Sequence, residues 1–129
     1  KKISVYILTL GVPQWQNEKI RLAGLDEILL DAKIKYTVSE NIQEGKIKEI
    51  KEICAGVGSK DGENILFFND KPDETEEIMK EFPQMKIFVR RENRDKRFFD
   101  RDFEELAKMP QIIQISEKFD FLEKIKELI

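Results

Sequence analysis

Five short apolar runs, each bounded by turn residues, alternate along the chain with segments whose apolar positions recur every three or four residues. The runs are Ile3 to Leu10, Ile34 to Val38, Ile65 to Phe68, Ile87 to Val89 and Ile112 to Ile115. All are rich in β-branched or aromatic residues, which predicts strands. Near-continuous stretches such as Ile65-Leu66-Phe67-Phe68 suit central strands covered on both faces.

The intervening segments predict helices. From about Gln16 to Ala32 the apolar stripe is Ile20, Ala23, Leu25, Ile28, Leu29 and Ala32, with Gly24 a local weakness. From about Ile42 to Ala55 it is Ile47, Ile50, Ile53, Cys54 and Val57, ended by Gly56 and Gly58. A third helix begins at Asp70-Lys71-Pro72-Asp73, with Asp70 as its cap, turns Ile78, Met79 and Phe82 inward, and stops at Pro83. A fourth spans about Asp100 to Lys108 with Phe103, Leu106 and Ala107 inward. The last spans about Lys118 to Ile129, capped by Ser116, with Phe121, Leu122, Ile125, Leu128 and Ile129 inward.

Strand and helix thus alternate five times, with crossovers long enough for parallel neighbours. The predicted product is one α/β domain over residues 1–129: a three-layer α/β/α sandwich around a five-stranded parallel sheet of the flavodoxin kind. With 129 residues, 40% hydrophobic and 38% charged, the chain supplies one core under a highly charged surface. Twenty-three basic against 26 acidic residues leave a net charge of -3, so attraction to nucleic acid or anionic lipid has to be local. One cysteine, Cys54, suits a reducing, cytoplasmic setting. No apolar run is long enough to cross a bilayer. Histidine is absent, which removes the commonest general base and the commonest zinc ligand, so neither metal nor cofactor is expected. The start without Met and the apolar helical end leave a fragment of a longer protein and a complete domain equally open.

In open parallel sheets ligands bind beyond the carboxyl ends of the strands. Here those ends carry Thr9-Leu10-Gly11, Ser39-Glu40-Asn41, Asn69-Asp70, Arg90-Arg91-Glu92 and Ser116-Glu117-Lys118. Asp70 in Phe67-Phe68-Asn69-Asp70-Lys71-Pro72 and Lys118 in Ile115-Ser116-Glu117-Lys118-Phe119 give the chain a resemblance to the receiver domains of bacterial response regulators. Those domains place a phosphate-accepting aspartate after the third strand and a lysine after the fifth. The resemblance implies the strand order 2-1-3-4-5. Two family positions depart: the acidic pair that holds Mg²⁺ is replaced by Thr9-Leu10-Gly11, and the small hydroxyl residue after the fourth strand by Arg90-Arg91. Asp70 alone is a poor substitute for a three-carboxylate site, so the resemblance implies a pseudo-receiver, with a phosphoryl-transfer enzyme at Asp70 left as the lesser alternative.

Two local features stand outside that pattern. Arg90, Arg91, Arg94, Lys96, Arg97 and Arg101 form a basic stretch holding Phe98 and Phe99, which could grip phosphate or a nucleic-acid backbone. Glu92, Asp95, Asp100 and Asp102 are interleaved with it, so a solvated mixed-charge loop with a core phenylalanine is the plainer reading. The turn Thr9-Leu10-Gly11-Val12-Pro13 could let a phosphate approach the backbone, and its Thr-Leu-Gly also looks like the start of Rossmann-like domains that sense cyclic oligoadenylates. Trp15 just beyond it is expected to cover the core.

The leading expectation is a non-catalytic, receiver-like regulatory module that binds another protein or an adjacent domain of its own chain. A homodimer and, behind it, nucleic acid are the other partners considered. The resemblance implies a partner face that includes Phe98, Phe99, Phe103 and the surface of Lys118 to Ile129. The alternative is a Rossmann-like sensor holding a nucleotide or other anion at Gly11, Asn69, Asp70, Arg90, Arg91 and Lys118.

Overall fold

A computed structural model describes residues 3–28, 31–118 and 120–128, and of Ile28 the backbone alone. Leu29, Phe119 and Ile129 therefore lie outside the described residues, as does the side chain of Ile28. The chain forms two compact units, Lys1–Ile53 and Cys54–Ile129.

In the first unit β1 (Tyr6–Leu10) pairs in parallel with β2 (Lys33–Thr37), Ile7 opposite Ile34 and Leu10 opposite Thr37. The ladder continues at both ends: Lys33 N–H donates to the Val5 carbonyl and Gly11 N–H to the Thr37 carbonyl. Ile3 and Val5 are exposed ahead of β1, so the first predicted strand is longer than the real one, and Val38 is exposed beyond β2, which starts and ends one residue earlier than predicted. The predicted helix from about Gln16 to Ala32 is two helices, α1 (Pro13–Leu22) and α2 (Leu25–Ile28). Pro13, preset for a first turn, opens α1. Gly24 separates the two with φ of 72°, a left-handed conformation that glycine adopts most cheaply. Ile20 is buried, whereas Ala23 and Leu25 of the predicted stripe are exposed, because the break at Gly24 interrupts the helical period that would have kept them on one face.

Helix α3 (Lys46–Val57) contains the boundary between the units. Ile47, Ile50 and Cys54 are buried, but Val57 is exposed because the helix is already ending there. Ser59 N–H reaches back to the Cys54 carbonyl and Gly58 N–H to the Ala55 carbonyl, with Gly58 left-handed at φ 69°: a Schellman cap. The predicted start at Ile42 is a turn in which the Asn41 carboxamide oxygen accepts from the Gln43 and Glu44 N–H groups.

The second unit runs β3 (Leu66–Asn69), α4 (Pro72–Glu81), β4 (Lys86–Arg90), α5 (Asp100–Ala107), β5 (Ile112–Ser116) and α6 (Leu122–Leu128). Its three strands form a parallel sheet in the order β3-β4-β5. Ile87, Phe88 and Val89 of the central strand are fully buried, as their continuous apolar run predicts. Phe88 stacks on Phe68 of β3 at 5.0 Å between ring centroids and meets Phe121 at 5.2 Å. Ile78, Met79 and Phe82 of α4 and Phe103 and Leu106 of α5 complete this core. Ala107 is exposed at the last turn of α5.

The α/β class and the parallel strands match the sequence; the strands lie in two sheets, β1-β2 in the first unit and β3-β4-β5 in the second. The last helix is shorter than predicted: Ser116 does not cap it, since its hydroxyl accepts from Lys118 N–H in a turn and α6 starts only at Leu122. Phe121 just ahead of it is buried, while Leu122 and Leu128 are exposed. Among the described residues no helix is long and apolar enough to cross a membrane.

Candidate functional site

Parallel pairing puts the carboxyl ends of β3, β4 and β5 on one edge of the second unit's sheet. Asn69 lies opposite Val89, Arg90 opposite Ser116, and Arg91 N–H donates to the Ser116 carbonyl at 2.8 Å. Asn69-Asp70, Arg90-Arg91 and Ser116-Lys118 therefore belong to one rim. Asn69 is committed to structure: its amide donates to the Thr75 hydroxyl, which is fully buried and donates in turn to the Lys71 carbonyl. Thr75 escaped the sequence reading although it was legible there, a polar residue on the stripe it shares with Ile78, Met79 and Phe82. Asp70 is exposed and does not cap α4; Lys71 occupies that position, and no side chain caps the helix. Lys118 is exposed.

Gly11, at the end of β1 in the first unit, has φ of 141°. A Cβ there would sit 2.3 Å from the side-chain nitrogen of Gln16, whose oxygen accepts from the Thr9 hydroxyl at 2.9 Å. Gly11 makes room for the protein's own side chain, and Gln16 takes the place a phosphate would need beside the backbone. Trp15 does not cover the core: it is 67% exposed, because it lies about 140° around α1 from the buried Ile20.

Four of the six cations in the basic stretch are spent on neighbouring carboxylates. Glu92 accepts from the Arg94 side chain at 3.1 Å and from Arg94 N–H, and Arg90 pairs with it at 3.1 Å. The Arg94 hydrogen bonds hold the Glu92 carboxyl down to about 2. Asp95 takes a two-pronged contact from Arg97, at 2.9 and 2.7 Å, and the Arg97 N–H at 3.1 Å. Arg97 thereby holds the Asp95 carboxyl down to about 2, with Lys71 adding a smaller effect. Asp95 raises the Arg97 guanidinium in return, and Asp70 and Asp73 add to it, so the fields of Asp70 and Arg97 overlap. Arg91 pairs with Asp100 and lies over the Phe103 ring at 4.9 Å.

Three phenylalanines accompany the charges. Phe98 is half-buried under Arg97, and Phe99 is 60% exposed with the Arg101 guanidinium 5.4 Å from its centroid. Phe103 is buried, so it supports the loop rather than offering surface. Asp102 anchors the start of α5 by accepting from Phe99 N–H at 2.7 Å.

Two open hollows flank this loop. One, of about 680 Å³, is bounded by Arg91, Lys96, Phe98, Phe99, Arg101 and Phe103, with Glu92, Asn93, Asp95 and Asp100 beside them. The other, of about 610 Å³ between α4 and α5, has an apolar lining of Pro72, Phe98, Phe99, Leu106 and Met109 under a charged rim. Met109 carried no signal in the sequence, where it sits just past the last inward residue of α5. Among the described residues no cluster of carboxylate, thiol or imidazole groups could hold a metal ion.

The chain matches no protein-family model, no curated protein and no solved structure. Its functional reading rests on these residues.

Proposed function

We propose that this chain is a non-catalytic protein-interaction module of the receiver-like kind, binding a protein partner or an adjacent domain through the groove between α4 and α5. The receiver-like strand order 2-1-3-4-5 contains the runs 2-1 and 3-4-5, and each run is the order within one unit's sheet. The observation that carries the reading is the pair Phe99 and Met109. Both are exposed, at 60% and 41%, and both line one groove floored by the buried Leu106. Apolar surface inside a charged rim is the usual anatomy of a protein contact, where phenylalanine and methionine concentrate.

On the second unit's rim Asp70 and Lys118 are exposed, but the polar and basic groups that would assist them are otherwise engaged. Asn69 holds Thr75, Arg90 pairs with Glu92, and Arg91 pairs with Asp100. This supports a binding role over a catalytic one.

A photo-crosslinking residue at position 99, introduced in the native cell, tests the proposal. A discrete adduct is expected, lost when Met109→Glu is added while the melting transition stays in place. A smear, or an adduct indifferent to Met109→Glu, removes the groove from the interface. Labelling by a small phosphodonor with Mg²⁺ that disappears in Asp70→Asn would replace the whole reading with phosphotransfer.

A further inference from the structure

The larger hollow differs from the groove between the helices in the engagement of its charges. Of the six basic residues between positions 90 and 101, four are matched to carboxylates: Arg90 and Arg94 with Glu92, Arg91 with Asp100, and Arg97 with Asp95. Lys96 and Arg101 have no carboxylate partner among the described residues, and both line the hollow. The three acids there, Glu92, Asp95 and Asp100, are each already bonded to an arginine, which leaves a positive surplus at the Lys96 and Arg101 side. Against that surplus stands the exposed Phe99 ring, with Phe98 beside it.

Unspent cations call for an anion, and an exposed ring against a guanidinium offers a stacking face. A hollow of about 680 Å³ lies in the size range of small-ligand sites. We propose that it binds a nucleoside phosphate, the phosphate held by Lys96 and Arg101 and the base stacked on Phe99. The site lies on the loop after β4, and its lining includes none of Gly11, Asn69 and Asp70. It does not depend on the protein-interaction reading, although a partner covering Phe99 would compete with the nucleotide.

Calorimetric titration of the full chain with ATP, AMP, adenosine and inorganic phosphate is the test. ATP is expected to bind more tightly than AMP, and adenosine weakest among the three nucleoside probes. Lys96→Gln and Arg101→Gln should each weaken ATP about tenfold, the loss of one charge-assisted hydrogen bond. Phe99→Ala should weaken AMP about tenfold, as loss of a base stack does, and leave inorganic phosphate unchanged. Phe99→Trp should restore AMP binding, which separates lost stacking from a disturbed fold. No heat with millimolar ATP overturns the site. Equal ATP affinity in the Lys96→Gln and Arg101→Gln variants also overturns it, by placing the ligand elsewhere. Inorganic phosphate binding as tightly as AMP, with no effect of Phe99→Ala, overturns the nucleoside part.

Discussion

The Asn69 amide donates to the Thr75 hydroxyl at 2.9 Å, and that hydroxyl donates to the Lys71 carbonyl at 2.8 Å, so one buried oxygen ties the end of β3 to the first turn of α4. Thr75→Val keeps the volume and removes both bonds. It is expected to cost about 1–3 kcal/mol, the penalty of leaving buried polar groups unmet. Thr75→Ser should recover most of that loss in urea unfolding, and a valine variant as stable as the parent would show the bonds to be incidental.

Three glycines should respond to alanine with different signs. Gly56 lies inside α3 without a left-handed backbone and with open space where a Cβ would go, so Gly56→Ala is expected to stabilise by about 0.5–1 kcal/mol. Gly58 is left-handed but unobstructed, and its alanine variant should lose about 1 kcal/mol. Gly62 is left-handed at φ 86°, and its Cβ would also meet the Met85 Cβ at 2.7 Å. Gly62→Ala should be the worst of the three. Thermal melts of the set would expose any other ranking.

The loop after β4 should be acid-sensitive. Glu92 and Asp95 are both held down to about 2, below the ordinary carboxylate range. Groups with lowered folded values stabilise above their unfolded values near pH 4, and that contribution is lost as pH falls through about 2. Carboxyl NMR titration should show both low midpoints, with Arg97→Ala moving Asp95 up and leaving Glu92 in place. Both carboxylates are solvent-accessible at the surface, so high salt should weaken the effect.

Cys54 is buried, and burial pushes its thiol up from the ordinary value. Alkylation of the native protein should be far slower than of the unfolded chain at the same pH. A raised acid contributes stability below its unfolded value that is lost as pH rises through the folded one, so Cys54 should weaken the fold only in alkali. Equal labelling rates in the two states would place the sulfur at the surface.

Trp15, the chain's only tryptophan, should fluoresce as a solvated indole and be quenched freely by acrylamide in the native state. A blue-shifted, protected signal would mean that something covers α1 in solution.

Local pattern was enough for the elements in the second unit. The run Ile87-Phe88-Val89 specified a buried strand, and Pro72 with Ile78, Met79 and Phe82 specified α4, because burial on a fixed period is written into consecutive residues. The ends were less legible: Ser116 and Asp70 are plausible caps by type, yet whether a hydroxyl or carboxylate caps a helix depends on where the next turn begins. Pairing is a relation between distant segments, so the sequence proposed five strands, while tertiary structure grouped them as two and three. The same holds for the site. Six basic residues between positions 90 and 101 were evident from the sequence, but which of them are neutralised was decided by the folded loop, where Arg91 meets Asp100 nine positions away and Lys96 and Arg101 are left to the hollow. Charge is a property of each residue, and its availability is a property of the neighbours that folding supplies.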